Sequence, residues 1–396
     1  MSVVPPVDAL FPKRSDADVS EPDSRGASGE SPRKSPRRDY LILPLLSLST
    51  ILIMAGIGEI AARLLWTEQQ SNSCLVYGSA EGTRYKPNCV SVTKLAEGPW
   101  VTNKYNACGY RSSAPCGPKP LGAIRIAVLG SSNADGFMVP YEKTFAAILE
   151  QTLSNRCERS VEVQNLGVTG LLISGAASRT EEALALKPDV IFLVVTPNDL
   201  LRNFMNEPRP AGGRAETSLI DRFVGGMEAS RAVAITRHYL YRDQELYLRI
   251  FLKSHGDDAD YLRPPFTSIW EKRFQEFDSL LSAMAAKAQS QGVPLVVISS
   301  LYRQQAALLD AANDFPGTDP EAFEREISHI ASKHDVLNFD VTGDFRGIAH
   351  TENLFYVANG HMNAGGQALL ARSVVRQIFA NHVLRACTQS SVPYSD

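Results

Sequence analysis

An excess of charge of either sign is missing from this sequence: 40 Lys and Arg stand against 43 Asp and Glu in 396 residues, a formal net charge of −3. Nothing basic is left over to neutralise a phosphate backbone, so nucleic acid is not expected as a partner. The six cysteines include no C-x-x-C pair and the histidines do not cluster with them, so no metal site is expected. Nucleotide and haem motifs are also missing, and no cofactor is implied. What the chain does have is 44% hydrophobic residues, enough for one large or two ordinary domains with a real core.

Charge is missing altogether from one stretch. Between Asp39 and Glu59, nineteen consecutive residues (Tyr40 to Gly58) carry none. At about 1.5 Å per residue, a helix of that length roughly spans the ~30 Å hydrocarbon layer of a bilayer. The reading is one transmembrane helix within residues 39–66. Residues 1–38, rich in Pro, Ser, Asp and Arg, are expected to form a disordered tail. Arg33, Lys34, Arg37 and Arg38 crowd the helix entry, which keeps that tail in the cytoplasm and sends everything after about residue 67 across the membrane. A cleaved signal peptide is the alternative, but the leader and the apolar run are both long for one. A buried core helix is disfavoured because nothing polar interrupts the run.

Beyond residue 67 the chain falls into three parts. Residues 67–123, with Gly, Pro, Asn and Lys and little helical period, read as an extended collar. From residue 124 to about 390 short apolar runs alternate with helical spacing. Strands are expected at Ile124–Leu129, Val161–Leu166, Val190–Val195, Val293–Ile298 and Val336–Phe339. Helices are expected at Thr144–Leu153, Ser268–Ser290, Pro320–Lys333 and from an N-cap at Asn363 through Ile378. This rhythm argues for one doubly wound parallel sheet with right-handed crossovers. Residues 201–265 break it and read as a partly helical insertion at the rim. There Arg231, Arg237, Tyr239, Tyr241 and Arg242 either grip an anionic glycan or lipid headgroups, or form an ordinary solvated face.

Chemistry-bearing residues fall at the strand ends, where open α/β sheets put their ligands. The first strand stops at G-S-S-N-A-D-G, which makes Ser131 or Ser132 a candidate nucleophile. The second ends in N-L-G-V-T-G, where Gly167 or Gly170 leaves backbone N–H groups open to a ligand. The third ends in T-P-N-D with Asn198, and the loop before the last helix holds His361 in N-G-H-M-N-A-G-G. Each alone has an ordinary explanation as a turn or a structural histidine.

In this order the blocks resemble the SGNH (GDSL-like) hydrolases, and the collar stretch T-N-K-Y-N-A-C-G-Y-R is similar to the lead-in of membrane-anchored members. The resemblance implies a flavodoxin-like three-layer αβα sandwich with a five-stranded parallel sheet (the SGNH hydrolase fold), preceded by the transmembrane helix. It also implies that Ser132 is the nucleophile and His361 the general base, with an oxyanion hole built from the N–H groups of Ser132 and Gly170 and the amide of Asn198. Gly136 matches the family's later glycine, and Gly167 is the nearer alternative to Gly170. Three positions depart from the family: Ser131 replaces an aspartate, Thr196 a glycine, and Ala358 and Asn359 stand where an aspartate precedes the histidine. An amide can orient an imidazole but hardly stabilise its charged form. Asn359 or a backbone carbonyl then orients His361 in a Ser-His dyad, or an acid arrives from elsewhere, Glu352 being nearest in sequence, or activity is weakened.

The expected function is an SGNH-type serine esterase, a carboxylic ester hydrolase acting on acyl, chiefly acetyl, groups of a cell-envelope glycan or lipid. Two alternatives are an O-acyltransferase on an exported polysaccharide and a catalytically weak glycan-binding protein. The expected setting is the inner (cytoplasmic) membrane, with the catalytic domain periplasmic or extracellular. All six cysteines lie beyond the anchor, which suits an oxidising compartment. The first and last helices of the α/β repeat should run from the rim to the opposite end, just short of Cys157 and Cys387. That suggests Cys157–Cys387, with Cys74–Cys89 and Cys108–Cys116 as local staples; unpaired buried thiols are the alternative.

Overall fold

The computed structural model describes residues 39–69, 73–79, 82–201, 230–311, 314–348, 350–384 and 387. The tail at 1–38 and residues 202–229 of the insertion lie outside the described residues. The chain divides into two units, residues 1–55 and 56–396. The described part of the first belongs to helix α1 (Asp39–Leu65), whose leucines and isoleucines are exposed. Among the described residues, one helix, this one, is long and apolar enough to cross a membrane.

After the last turns of α1, the second unit continues with two antiparallel hairpins. β1 (Leu75–Ser79) pairs with β2 (Gly82–Tyr85), and β3 (Val90–Lys94) with β4 (Trp100–Lys104). Two short disulfides, Cys74–Cys89 and Cys108–Cys116, brace this segment. Then come β5 (Ile124–Leu129), the short helix α2 (Ser132–Asp135), α3 (Phe145–Cys157) and β6 (Val161–Asn165). They are followed by α4 (Ile173–Ser178), α5 (Thr180–Ala185) and β7 (Val190–Val195). After the insertion helices α6 (Arg231–Leu240) and α7 (Gln244–Ser254) the chain continues with α8 (Ser268–Ser290), β8 (Leu295–Ser299) and α9 (Arg303–Ala311). It closes with α10 (Ala322–Lys333), β9 (Leu337–Asp340) and α11 (Ala364–Ala380).

Five strands form one parallel sheet in the order β6-β5-β7-β8-β9. This is the flavodoxin-like three-layer αβα arrangement. The alternation along each strand explains the layers, since successive side chains leave opposite faces. In β7, Val190, Phe192 and Val194 pack with Phe145 and Leu149 of α3 and Leu370 and Val374 of α11. Ile191, Leu193 and Val195 face the other layer, with Phe274 and Phe277 of α8 and Phe323 of α10. Both faces are covered, which is why β7 reads as an unbroken apolar run and β5 as one interrupted only by Arg125, whose guanidinium is buried against Glu162.

The fourth strand begins at Leu295 rather than Val293, because the Val293 N–H still donates to Ala288 O and closes the end of α8. Helices α4, α5 and α9 were not anticipated; each is nine residues or fewer, short for its periodicity to register. The third disulfide, Cys157–Cys387, joins the end of α3 to the segment just past α11, with Cα atoms 4.5 Å apart across 230 residues. All three cysteine pairings match those the chain order suggested.

Candidate active site

The turn after β5 is built around Gly130, whose φ of +147° would bring a Cβ within 2.8 Å of Ala134 Cβ and 2.9 Å of Val194 O. Only glycine tolerates both the dihedral and the approach. The turn delivers Ser132 to the first position of α2. That four-residue helix ends at Gly136, φ +76°, where a side chain would collide with Thr144 Cγ2 at 2.5 Å. The carbonyls left open at its end are taken by a buried guanidinium: Arg111 Nη1 donates to Asp135 O (2.7 Å) and Gly136 O (2.8 Å), and Nη2 to Val139 O (2.7 Å). Asn106 Oδ1 accepts the N–H groups of Cys108 and Tyr110, and its amide reaches Gln164. The Asn and Arg of the collar lead-in thus set the loop that carries Ser132.

His361 arrives from 229 residues further on. Its Nε2 lies 2.8 Å from Ser132 Oγ, and its Nδ1 lies 2.5 Å from Asn359 Oδ1. The imidazole is wedged between Phe137 and Tyr302, with ring centroids 5.2 and 5.4 Å away. Backbone bonds fix the turn: Tyr356 N donates to His361 O, and Gly360 N to Tyr356 O, both 2.8 Å. Asn363 then caps α11 by accepting from the N–H groups of Gly365 and Gly366. Burial pushes the imidazole down to about 4, with no carboxylate against the ring to oppose it. At neutral pH the ring is neutral. With Nδ1–H donated to Asn359, Nε2 is left free to accept from Ser132.

The remaining sequence candidates are distributed as follows. Gly167 donates its N–H to Asn165 Oδ1 at 2.9 Å, so that group is already engaged. The Gly170 N–H has no acceptor among the described residues, and Gly170 lines a cavity of about 230 Å³ together with Phe137. Asn198 sits in the turn Pro197–Leu200 after β7, with Tyr302 beside its side chain. Ser131, in place of the family's aspartate, bonds Asp199, which also accepts from Thr196 N (2.6 Å) and Thr196 Oγ1 (2.7 Å). Burial raises Asp199 to about 6 despite these donors. Glu352 faces His350 at 3.2 Å and is not among the partners of His361. Arg237 and Tyr241 line a cleft of about 540 Å³ that reaches Asn198, Tyr302 and Asn359, while Arg231 pairs with Glu68 and Arg242 lies over Tyr239.

Sequence reasoning passed over Tyr302. This buried side chain has its hydroxyl 3.4 Å from His361 Nε2 and close to Ser132, Asn198 and Thr196, and burial raises its pKa. The signal was positional: it stands three residues past the end of β8, on the same sheet edge as the other blocks.

No protein-family model matches the chain, and no curated protein matches it. Similar solved structures include the acetylxylan esterase Axe2 of Geobacillus stearothermophilus, 15% identical over 64% of this chain and 94% of that one, TM-score 0.40. TesA is also similar (15% identity, 66% and 99% coverage, TM-score 0.39). So is a G-D-S-L family protein from Desulfitobacterium hafniense DCB-2 (15% identity, 64% and 98% coverage, TM-score 0.37). The last of these is described as a lipolytic protein of the G-D-S-L family.

Proposed function

We propose that this protein is a membrane-anchored serine esterase of SGNH type that hydrolyses acyl groups, chiefly acetyl, on a cell-envelope glycan or lipid. The observation that carries the reading is the 2.8 Å contact between Ser132 Oγ and His361 Nε2, made by two side chains 229 residues apart. Ser132 Oγ attacks the ester carbonyl as its proton passes to Nε2. The N–H groups of Ser132 and Gly170 and the Asn198 amide hold the oxyanion, and water frees the acyl-enzyme. Asn359 keeps the proton on Nδ1. The α1 helix anchors the protein in the inner membrane with its N-terminus inside, and residues 67–123 and 124–390 act outside as collar and catalytic domain. Six cysteines in disulfides support an oxidising, periplasmic or extracellular setting.

The test is release of acetate from a chromogenic acetate ester by the full-length protein in detergent. Turnover should disappear in Ser132→Ala and in His361→Ala. Turnover unaffected by either substitution excludes the reading.

A second reading, acyl transfer to a sugar hydroxyl, is favoured by two cavities lined by neighbours of the pair rather than by Ser132 or His361 themselves. One reaches Gly170 and Phe137 from the collar side, and the other reaches Asn198 and Tyr302 from the insertion side. Supplying an acyl donor with an oligosaccharide acceptor separates the two readings: a transferase yields acetylated oligosaccharide, a hydrolase free acetate.

A further inference from the structure

The amide at Asn359 leaves a deficit of charge. When the Ser132 proton reaches Nε2 the imidazole becomes a cation, and Asn359 offers it a neutral oxygen. Glu352, the acid nearest in sequence, does not meet the ring but faces His350, and buried Asp199 is occupied with Ser131 and Thr196.

An acid does reach the turn that carries Asn359, from the connection between β3 and β4 more than 250 residues earlier. Glu97, with 6% of its side chain exposed, accepts the Ala358 N–H on both oxygens (2.9 and 3.0 Å) and the Asn359 N–H at 2.8 Å. On the opposite side, fully buried Arg303 donates to the carbonyl of Val357. An anion on two N–H groups and a cation on the preceding carbonyl clamp the peptide at both ends. Fixing that peptide fixes where the Asn359 amide points, and hence the face His361 turns to Ser132.

We propose that Glu97 is the positioning acid of this site: through the Asn359 peptide it holds the histidine and supplies the negative charge that the family takes from an aspartate. The inference rests on the Ser-His reading proposed above. Coulomb attraction falls only as the inverse of distance in a weakly screened interior, so a carboxylate one residue behind the amide still favours an imidazolium. The proton balance is simple: one proton moves from Oγ to Nε2 as Oγ bonds the carbonyl carbon, and Glu97 keeps its charge throughout. The groups facing the pair are few. Tyr302 stands against His361; His238 Nδ1 contacts Glu97 at 2.6 Å; Arg303 and Tyr356 lie within its field. Tyr302 and Tyr356 are neutral at pH 7, Asp199 acts on Tyr302 from the Ser131 side, and among the described residues Glu97 is the one carboxylate bonded to the turn that carries Asn359.

The test combines two readouts on the full chain in detergent: kcat and KM for a chromogenic acetate, and the His361 pKa from NMR of 15N-histidine-labelled protein, with the signal assigned by its loss in His361→Gln. Glu97→Gln keeps the shape and two of the acceptor contacts. We expect it to lower kcat roughly 10- to 100-fold with KM within about twofold, and to lower the His361 pKa by about one. Glu97→Asp should retain more activity than Glu97→Gln. Glu97→Gln combined with Asn359→Asp, which puts an acid directly on Nδ1, should regain most of the lost kcat. An unchanged His361 pKa in folded Glu97→Gln overturns the proposal, and so does a loss that Asn359→Asp leaves unrepaired. If the parent itself shows no turnover, the esterase reading fails, while the titration still decides whether Glu97 acts on His361.

Discussion

The α/β layers and the collar contribute to the same site in different ways. The layers hold Ser132, Gly170, Asn198 and His361 at the carboxyl edge of the sheet, each where a strand ends or a helix starts. The collar has no regular core of its own; it is two hairpins and two short disulfides. Yet it sends Arg111 under the Ser132 loop and Glu97 behind the His361 turn. On the proposed mechanism, a repeated fold sets where the reacting atoms sit, and an irregular segment without a fold-wide constraint is free to adjust their electrostatics.

The largest expected effects test the layer half of that contrast. Ser132→Ala and His361→Ala should each reduce kcat by about 10³-fold or more in an acetate-release assay, since the two act as a unit. Next come the disulfides, which separate stability from chemistry. Removing Cys157–Cys387 (both to Ser) should cost about 2–5 kcal/mol by thermal or denaturant unfolding while leaving kcat at low temperature near that of the parent. Removing Cys74–Cys89 should do the reverse, costing less stability and lowering kcat several-fold, because its short loop braces the segment that carries Glu97. Equal effects of both removals on kcat would erase the distinction between the two regions.

Two smaller effects concern protons. The His361 pKa of about 4 predicts kcat/KM flat from neutral pH down to about 5 and falling below about 4, as the base becomes protonated. A fall already centred near 6.5 would mean an imidazole not depressed by burial. In the core, Glu324 of α10 accepts from Gln305 on one oxygen and has no partner on the other, and burial raises it to about 8. Because its folded pKa lies above its unfolded one, the stability it contributes is complete below about pH 4 and lost as pH rises through about 8. Glu324→Gln should therefore flatten the drop in Tm between about pH 5 and pH 8, with activity unchanged; the stability at stake is about 1.4 kcal/mol per pH unit across that window and levels off above it. A buried carboxylate with one donor destabilises the core as it ionises, whereas Glu97 has N–H groups to receive its charge.

How much of this was legible follows from the same contrast. β5 and β7 are buried on both faces, and β7 announces itself as a six-residue apolar run and β5 as one broken only by Arg125, so the central strands could be read from the local pattern. The Gly-Ser-Ser turn, Asn198 and His361 stand at element boundaries, where residue type has a local meaning. Tyr302 was invisible because one tyrosine past a strand has no local signature, and its hydroxyl matters only once β8 lies beside β7. Glu97 was invisible for a stronger reason: a Leu-Ala-Glu-Gly connection reads as solvent-exposed, and its partner peptide is 261 residues away. The helices α4, α5 and α9 were too short for their periodicity to register.

The bond between Cys157 and Cys387 also makes a topological object of the α/β layers. With its two ends covalently joined, the chain from the end of α3 to beyond α11 is a closed ring, and the sheet strands β6 to β9 all lie on it. A protease that cuts this ring once opens it without releasing a fragment. The nicked protein keeps its mass and stays tethered through the segment before residue 157, and only a reducing gel would reveal the cut.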